Sequence, residues 1–382
     1  MKTNDGCSKT EVNLSFKLLS AIGIILVVCG HCYHGGISLG SDWFPEYSFH
    51  VPMLVFVSGY FYRENSEQHI FSYLKKRFIR LVLPAYAWNL LYGGLLAVLR
   101  EFGYTFYSQV NVYNMLLSPF FDGEAFGFNL GSWFVYPLFA VCAVNVLFRK
   151  LLRLLKLNNE FFIAAVYFAV GMIGIWLAGE SLPAGGKDGL RLLFRSMFFI
   201  AFFGLGRLYY SKLEKYDNVP SSLYFAFLLL IQLLLLTCFK NLEYTPSKMT
   251  GFQDCFLPIA TSVTGTAFWL RVSKVVAPSI SRHSAAFRVG DYSYSIMIHH
   301  FFGFFVVKWV FYIISELTPL FPDFNVAKLR SEFWYYYLPN GKTQWGLVYV
   351  CAGICLSIAV GAAGEWLGKI IKNSIKKVRD GH

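Results

Sequence analysis

Ten apolar stretches recur along the chain, at about 14–33, 48–62, 79–99, 131–148, 161–179, 192–210, 222–239, 253–270, 290–315 and 345–368. Polar connections of mostly ten to thirty residues, punctuated by Gly, Pro, Asn and Asp, separate them. A bilayer-spanning helix takes about 20 apolar residues, so the pattern predicts an all-α polytopic membrane helix bundle with about ten transmembrane helices, the second short and the ninth long. Neither a fixed-period repeat nor a stretch resembling a soluble domain interrupts the alternation, and residues 1–382 read as a single membrane domain. The first stretch follows lysines, as a signal peptide does. No small-residue cleavage pattern follows Val28, however, and the run continues into Gly30, His31, Cys32 and Tyr33, so His31 is expected to stay in the mature protein.

Composition agrees. Of 382 residues, 56% are hydrophobic, 19% aromatic and only 15% charged, against about 25% charged in soluble domains, and mean hydropathy is +0.48. The bilayer is therefore the expected solvent. The net charge of +12 raises the question of a nucleic-acid partner, and the placement of the basic residues answers it. With ten spans, both termini and every second loop share one face, and 24 of the 34 Lys and Arg fall there. Among them are Arg63, Lys75, Lys76, Arg77 and Arg80, Arg149 to Lys156, Arg207 to Lys215, Arg271 to Arg288, and Lys369 to Arg379. By the positive-inside rule both termini are cytoplasmic, which explains the basic excess without nucleic acid and leaves membrane lipids or a polyanionic cofactor as its partners. Cys29, Cys142, Cys238, Cys351 and Cys355 lie inside apolar runs and read as packing residues.

Ionisable side chains at membrane depth are costly and usually face an interior or a wet cavity. His31 lies 17 residues into the first helix from Leu14, near its outer end, with His34 three residues on; His50 opens the second stretch, followed by Ser58 and Tyr60. His299 and His300 lie about 15 Å past Gly290 along the ninth, and adjacent residues point about 100° apart, so at most one faces a common cavity. Histidines from three segments suit general-base chemistry on a hydroxyl. The His31/His34 and His299/His300 spacings lack an accompanying carboxylate at helical i+3 or i+4 positions, so no metal is expected. Arg77 and Arg80 are spaced to share one helix face, either to grip phosphate or to anchor the basic face. Trp133 and Phe134 fit a substrate wall or an aromatic interface belt equally well.

Taken together, Ile22 to His31, His50 to Tyr60, the Arg77-Phe78-Ile79-Arg80 run with Leu83-Pro84, Ser132-Trp133-Phe134, and Gly290 to His299 resemble, in order, the motifs of the acyltransferase 3 family. These are bacterial integral-membrane O-acyltransferases, polysaccharide O-acetylases among them. The resemblance implies a multi-pass protein of the bacterial cytoplasmic membrane. It also implies acetyl-CoA or another acyl-CoA as donor, held by Arg77 and Arg80, and a carbohydrate or glycan hydroxyl as acceptor. His31 maps onto the catalytic base, His299 onto the late histidine, and His50, Ser58 and Tyr60 onto the second-span motif. On this reading His50, Tyr60 or His299 donates a hydrogen bond to the developing charge, and Ser58, Tyr60 and Trp133 meet substrate. The chain departs from the pattern eleven positions before His31, where Ser20 replaces a basic residue; Lys17 lies almost one turn away. A transporter or flippase using the same histidines as a proton relay is the alternative, although no inverted halves are evident.

Overall fold

In the computed structural model, residues 13–32, 43–106, 109–121, 125–182 and 189–380 are described, the last six without their side chains. Ten helices fall on the ten apolar stretches. They are α1 Leu14–His31, α2 His50–Tyr60, α3 Ile70–Glu101, α4 Gly127–Leu154, α5 Glu160–Ser181, α6 Leu190–Tyr216, α7 Ser221–Cys238, α8 Leu257–Val276, α9 Ser293–Leu317 and α10 Gly346–Asp380. Eight are long and apolar enough to cross a membrane, and the chain is an all-α polytopic bundle. The other two depart for different reasons. α2 has 11 residues, about 16 Å of helix. α8 is 20 residues long but carries Thr261, Ser262, Thr264, Thr266, Arg271 and Ser273 on buried positions.

That polar content has work to do. The Thr261 and Ser262 hydroxyls each donate to the Ser48 carbonyl, at 3.2 Å in both cases, so α8 holds the irregular segment 43–49 that leads down into α2. Gly265 on the same helix leaves room for the Phe49 ring, which would come within 2.3 Å of an added Cβ. α2 itself is buried, and it packs on α6 through two reciprocal glycines. A Cβ on Gly59 would lie 2.0 Å from the Phe203 carbonyl, and one on Gly206 2.0 Å from that of Phe56. Backbones approach this closely only where both side chains are absent, a common device between membrane helices.

Contacts sort the loops as the charge pattern predicts. On one face Tyr60 joins Asn13 to Glu214, Arg153 meets Glu67, Lys274 meets Asp217, Lys17 meets Asp291 at 2.6 Å and Tyr292 meets Glu365. Asn13, where the described chain begins, and Glu365 in α10 thus lie on the same side. Deeper on this face Arg149 grips Glu160 with both guanidinium nitrogens at 2.9 and 2.8 Å, and Arg207 approaches the same carboxylate at 3.3 Å. These three buried side chains tie α4, α5 and α6 together. Glu67 beside them is pushed above the usual carboxylate range by desolvation, against the pull of Arg153 and Arg149.

One expectation about local geometry changes. Arg77 and Arg80 do not share a face, because residues Phe78–Val82 form a π-helical turn in the middle of α3; wider winding turns Arg80 outward while Arg77 stays half-buried over the Tyr73 ring. The Gly361–Gly364 region packs at one end only. A Cβ on Gly361 would meet Ser295 at 2.8 Å, whereas Gly364 has open space.

Candidate functional site

His31 is the last residue of α1. The final carbonyls of a helix lack intrahelical partners, and here two tyrosines from the opposite face supply them: Tyr47 donates to the Gly30 carbonyl and Tyr336 to that of His31, both at 2.9 Å. The helix end and its imidazole are thereby held by two separate loops. The ring lies nearly parallel to His300, with centroids 5.0 Å apart, and His31 Nδ1 is 2.9 Å from His300 Nε2.

This contact revises the depths read by counting along each stretch, which set His31 near the outer end and His299 and His300 only about 15 Å past Gly290. α1 and the chain leading into α9 first meet where Gly290 packs on the Lys17 carbonyl. From there His31 is 14 residues away and His300 ten, yet the two rings touch. Gly131 permits the arrangement. Its absent Cβ would lie 2.2 Å from the Met297 carbonyl and 3.0 Å from the His300 ring, so the 3₁₀ start of α4 lies directly against α9.

His31 and Tyr47 line two cavities. The inner one, a narrow space of about 30 Å³, also takes in His50, Leu54, Gly131, Trp133 and Met297. The outer one is an open cleft of about 440 Å³, bordered by Asn241, Glu243, Tyr244 and the half-exposed indole of Trp334. Glu243, in the loop after α7, is pushed above the usual carboxylate range by partial desolvation and by the nearby Glu46 carboxylate. Three of the expected residues, His31, His50 and Trp133, therefore share one wall. His50 Nδ1 donates to the Glu46 carbonyl, so a neutral His50 presents Nε2 as an acceptor.

The remaining candidates sit elsewhere. His299 points away from this site toward α3, hydrogen bonded to Tyr92 at 2.8 Å with Trp88 against its ring. Tyr60 lies at the basic end of α2, its hydroxyl donating to Glu214 at 2.9 Å. Ser58 donates back to the Leu54 carbonyl. Arg77 and Arg80 line neither cavity. Ser20 donates to the Phe16 carbonyl, and Lys17 is engaged by Asp291. His34 lies outside the described residues.

Residues the sequence did not single out complete the surroundings. Lys308, buried in α9, donates to the Phe333 carbonyl at 2.6 Å and lies over the Tyr336 ring at 4.7 Å. It thus holds the 333–337 segment whose Tyr336 caps His31. Arg195 donates to the Ser247 carbonyl and covers Trp133 at 5.1 Å. Such tethers join residues far apart in the chain, so no local motif announces them. The arrangement offers an imidazole between an inner cavity with apolar walls and an open outer cleft, as proton transfer between a buried and an exposed reactant requires.

A family model described as an acyltransferase domain matches residues 13–365. No curated protein and no solved structure matches the chain significantly.

Proposed function

Because this chain belongs to the acyltransferase 3 family, and is accordingly a multi-pass membrane acyltransferase, we propose that it transfers an acetyl or other short acyl group from acyl-CoA to a hydroxyl of an envelope carbohydrate, with His31 as general base. The observation that carries this reading is the position of His31 between the two cavities. The thioester end of the donor would occupy the inner cavity, between His50 and Trp133. The acceptor would enter the outer cleft. Basic loops around Arg77 and Arg80, on the face assigned to the cytoplasm by its charge, would hold the donor's phosphates. His31 would take the hydroxyl proton as the oxygen attacks the thioester carbonyl. His50 Nε2, an acceptor, suits a donor N–H better than a developing negative charge.

Purified protein in lipid nanodiscs, given acetyl-CoA with and without simple glycosides, tests the reading directly. Free CoA released only when a hydroxyl acceptor is present supports it. Accumulation of a glycan or lipid in vesicles without thioester consumption supports the transporter instead. Mass spectrometry of envelope glycans from cells with and without the gene then identifies the added group and the sugar.

The outer cleft makes its own prediction. Trp334 offers an aromatic face beside His31, packed from behind by Phe301 at 5.6 Å between centroids. Trp334→Ala is expected to raise KM for the acceptor about 2- to 13-fold, equivalent to an aromatic contact of about 0.5–1.5 kcal/mol. KM for the donor should stay unchanged. Initial rates at varied concentrations of each substrate distinguish the two.

A further inference from the structure

We infer that His300 is a positioning residue that holds His31 in its Nδ1–H tautomer, leaving His31 Nε2 as the atom that takes the acceptor's proton. The inference rests on the reading of His31 as the base and adds which nitrogen acts and what fixes it.

The chain of reasoning starts at a group with no choice. The Ile296 carbonyl can only accept, and His300 Nδ1 lies 2.8 Å from it, so His300 Nδ1 carries a hydrogen. A neutral imidazole has one N–H, and His300 Nε2 is therefore a lone pair. That lone pair is 2.9 Å from His31 Nδ1, so His31 Nδ1 must bring the hydrogen, and its own lone pair falls on Nε2. Among the described residues no hydrogen bond to His31 Nε2 is found, while the residue lines both cavities. The peptide carbonyl neither gains nor loses protons, so it sets the direction of the whole relay. His300 is fully buried and seated by Gly131 and Phe301, so the ring has little freedom to reverse.

The reaction closes on this arrangement. The acceptor O–H bond breaks and its proton moves to His31 Nε2 as the oxygen forms a bond to the acyl carbon. His31 Nδ1–H meanwhile keeps donating to His300 Nε2, which stabilises the transient imidazolium. The C–S bond then breaks, the departing thiolate takes the proton from Nε2, and His31 returns to its starting tautomer.

The test compares His300→Gln, which keeps an acceptor oxygen for His31 Nδ1–H, with His300→Leu, which removes it. Full-length protein in nanodiscs with ¹⁵N-labelled histidine, assigned by subtracting the His31→Gln spectrum, reports the tautomer without turnover. The expected result is Nδ1–H at His31 in the wild type and in His300→Gln, and a shift to Nε2–H or a mixture in His300→Leu. Kinetically, kcat of His300→Leu should fall about 10²-fold with KM for the donor unchanged, and His300→Gln should recover most of it. Nε2–H at His31 in the wild type overturns the assignment, as does equal loss of kcat in both variants with the tautomer unaltered. A wild type that transfers no acyl group would overturn the proposed function and leave the tautomer to be decided by the spectra alone.

Discussion

His31→Ala is expected to lower acyl transfer by a factor of about 10²–10⁴, the usual contribution of a positioned general base. KM for acyl-CoA should change little, because the phosphates are assigned to residues that line neither cavity. Stability should change little as well. The α1 end is held through the backbone carbonyls of Gly30 and His31, which accept from Tyr47 and Tyr336 whatever side chain is present. CoA release assayed at saturating donor, alongside thermal unfolding in the same detergent, separates the effects. Equal turnover by wild type and variant would remove His31 from the mechanism even though the family assignment stands.

Glu160→Ala is expected to destabilise the protein by about 3–5 kcal/mol, the cost of breaking a buried ion pair from one side. The carboxylate takes both terminal nitrogens of Arg149 and approaches Arg207 as well. Its removal leaves Arg149 with the Asn145 side chain, the Tyr62 ring and the more distant Glu67 carboxylate, none of them a direct replacement for the lost ion pair. Arg207 keeps Glu64, which is more than half exposed. Replacing the pair on both sides, in Glu160→Leu with Arg149→Met, should cost much less than the single change, since no unpaired charge is then buried. Chemical or thermal unfolding of the reconstituted protein measures the difference. Comparable losses in the single and double variants would show that the pair acts through shape and not through charge.

The spans were legible because hydrophobic length is a property of consecutive residues. So was their alternation about one face, since Lys and Arg mark it loop by loop. The exceptions have physical causes. α8, read from the sequence as a span at 253–270, falls short of spanning hydropathy because it carries hydroxyls that serve the neighbouring 43–49 segment. The π turn at Phe78–Val82 leaves no trace in a pattern read with α-helical spacing, so Arg77 and Arg80 were expected on one face. At the site, His31, His50 and Trp133 were expected to converge on substrate and they share a cavity wall. The late histidine was a different matter. The resemblance singled out His299, whereas the rotation of α9 about its axis, with Gly131 and Gly303 at its contacts, brings His300 to α1 and His299 to Tyr92.

The brevity of α2 bears on how the protein is made. Eleven residues are too few to satisfy a bilayer about 30 Å thick, so this segment cannot settle into lipid alone as it leaves the ribosome. Its glycine contacts await α6, and the polar backbone before it awaits the hydroxyls of α8. More than two hundred residues separate Tyr60 from the end of α8 at Val276, a delay of about 10–40 s at ordinary rates of synthesis. During that interval the nascent chain carries an unfinished segment at its centre, which must be sheltered by the insertion machinery or by its own neighbours. His300 emerges later still, so the contact between His31 and His300 is among the last features of the fold to assemble.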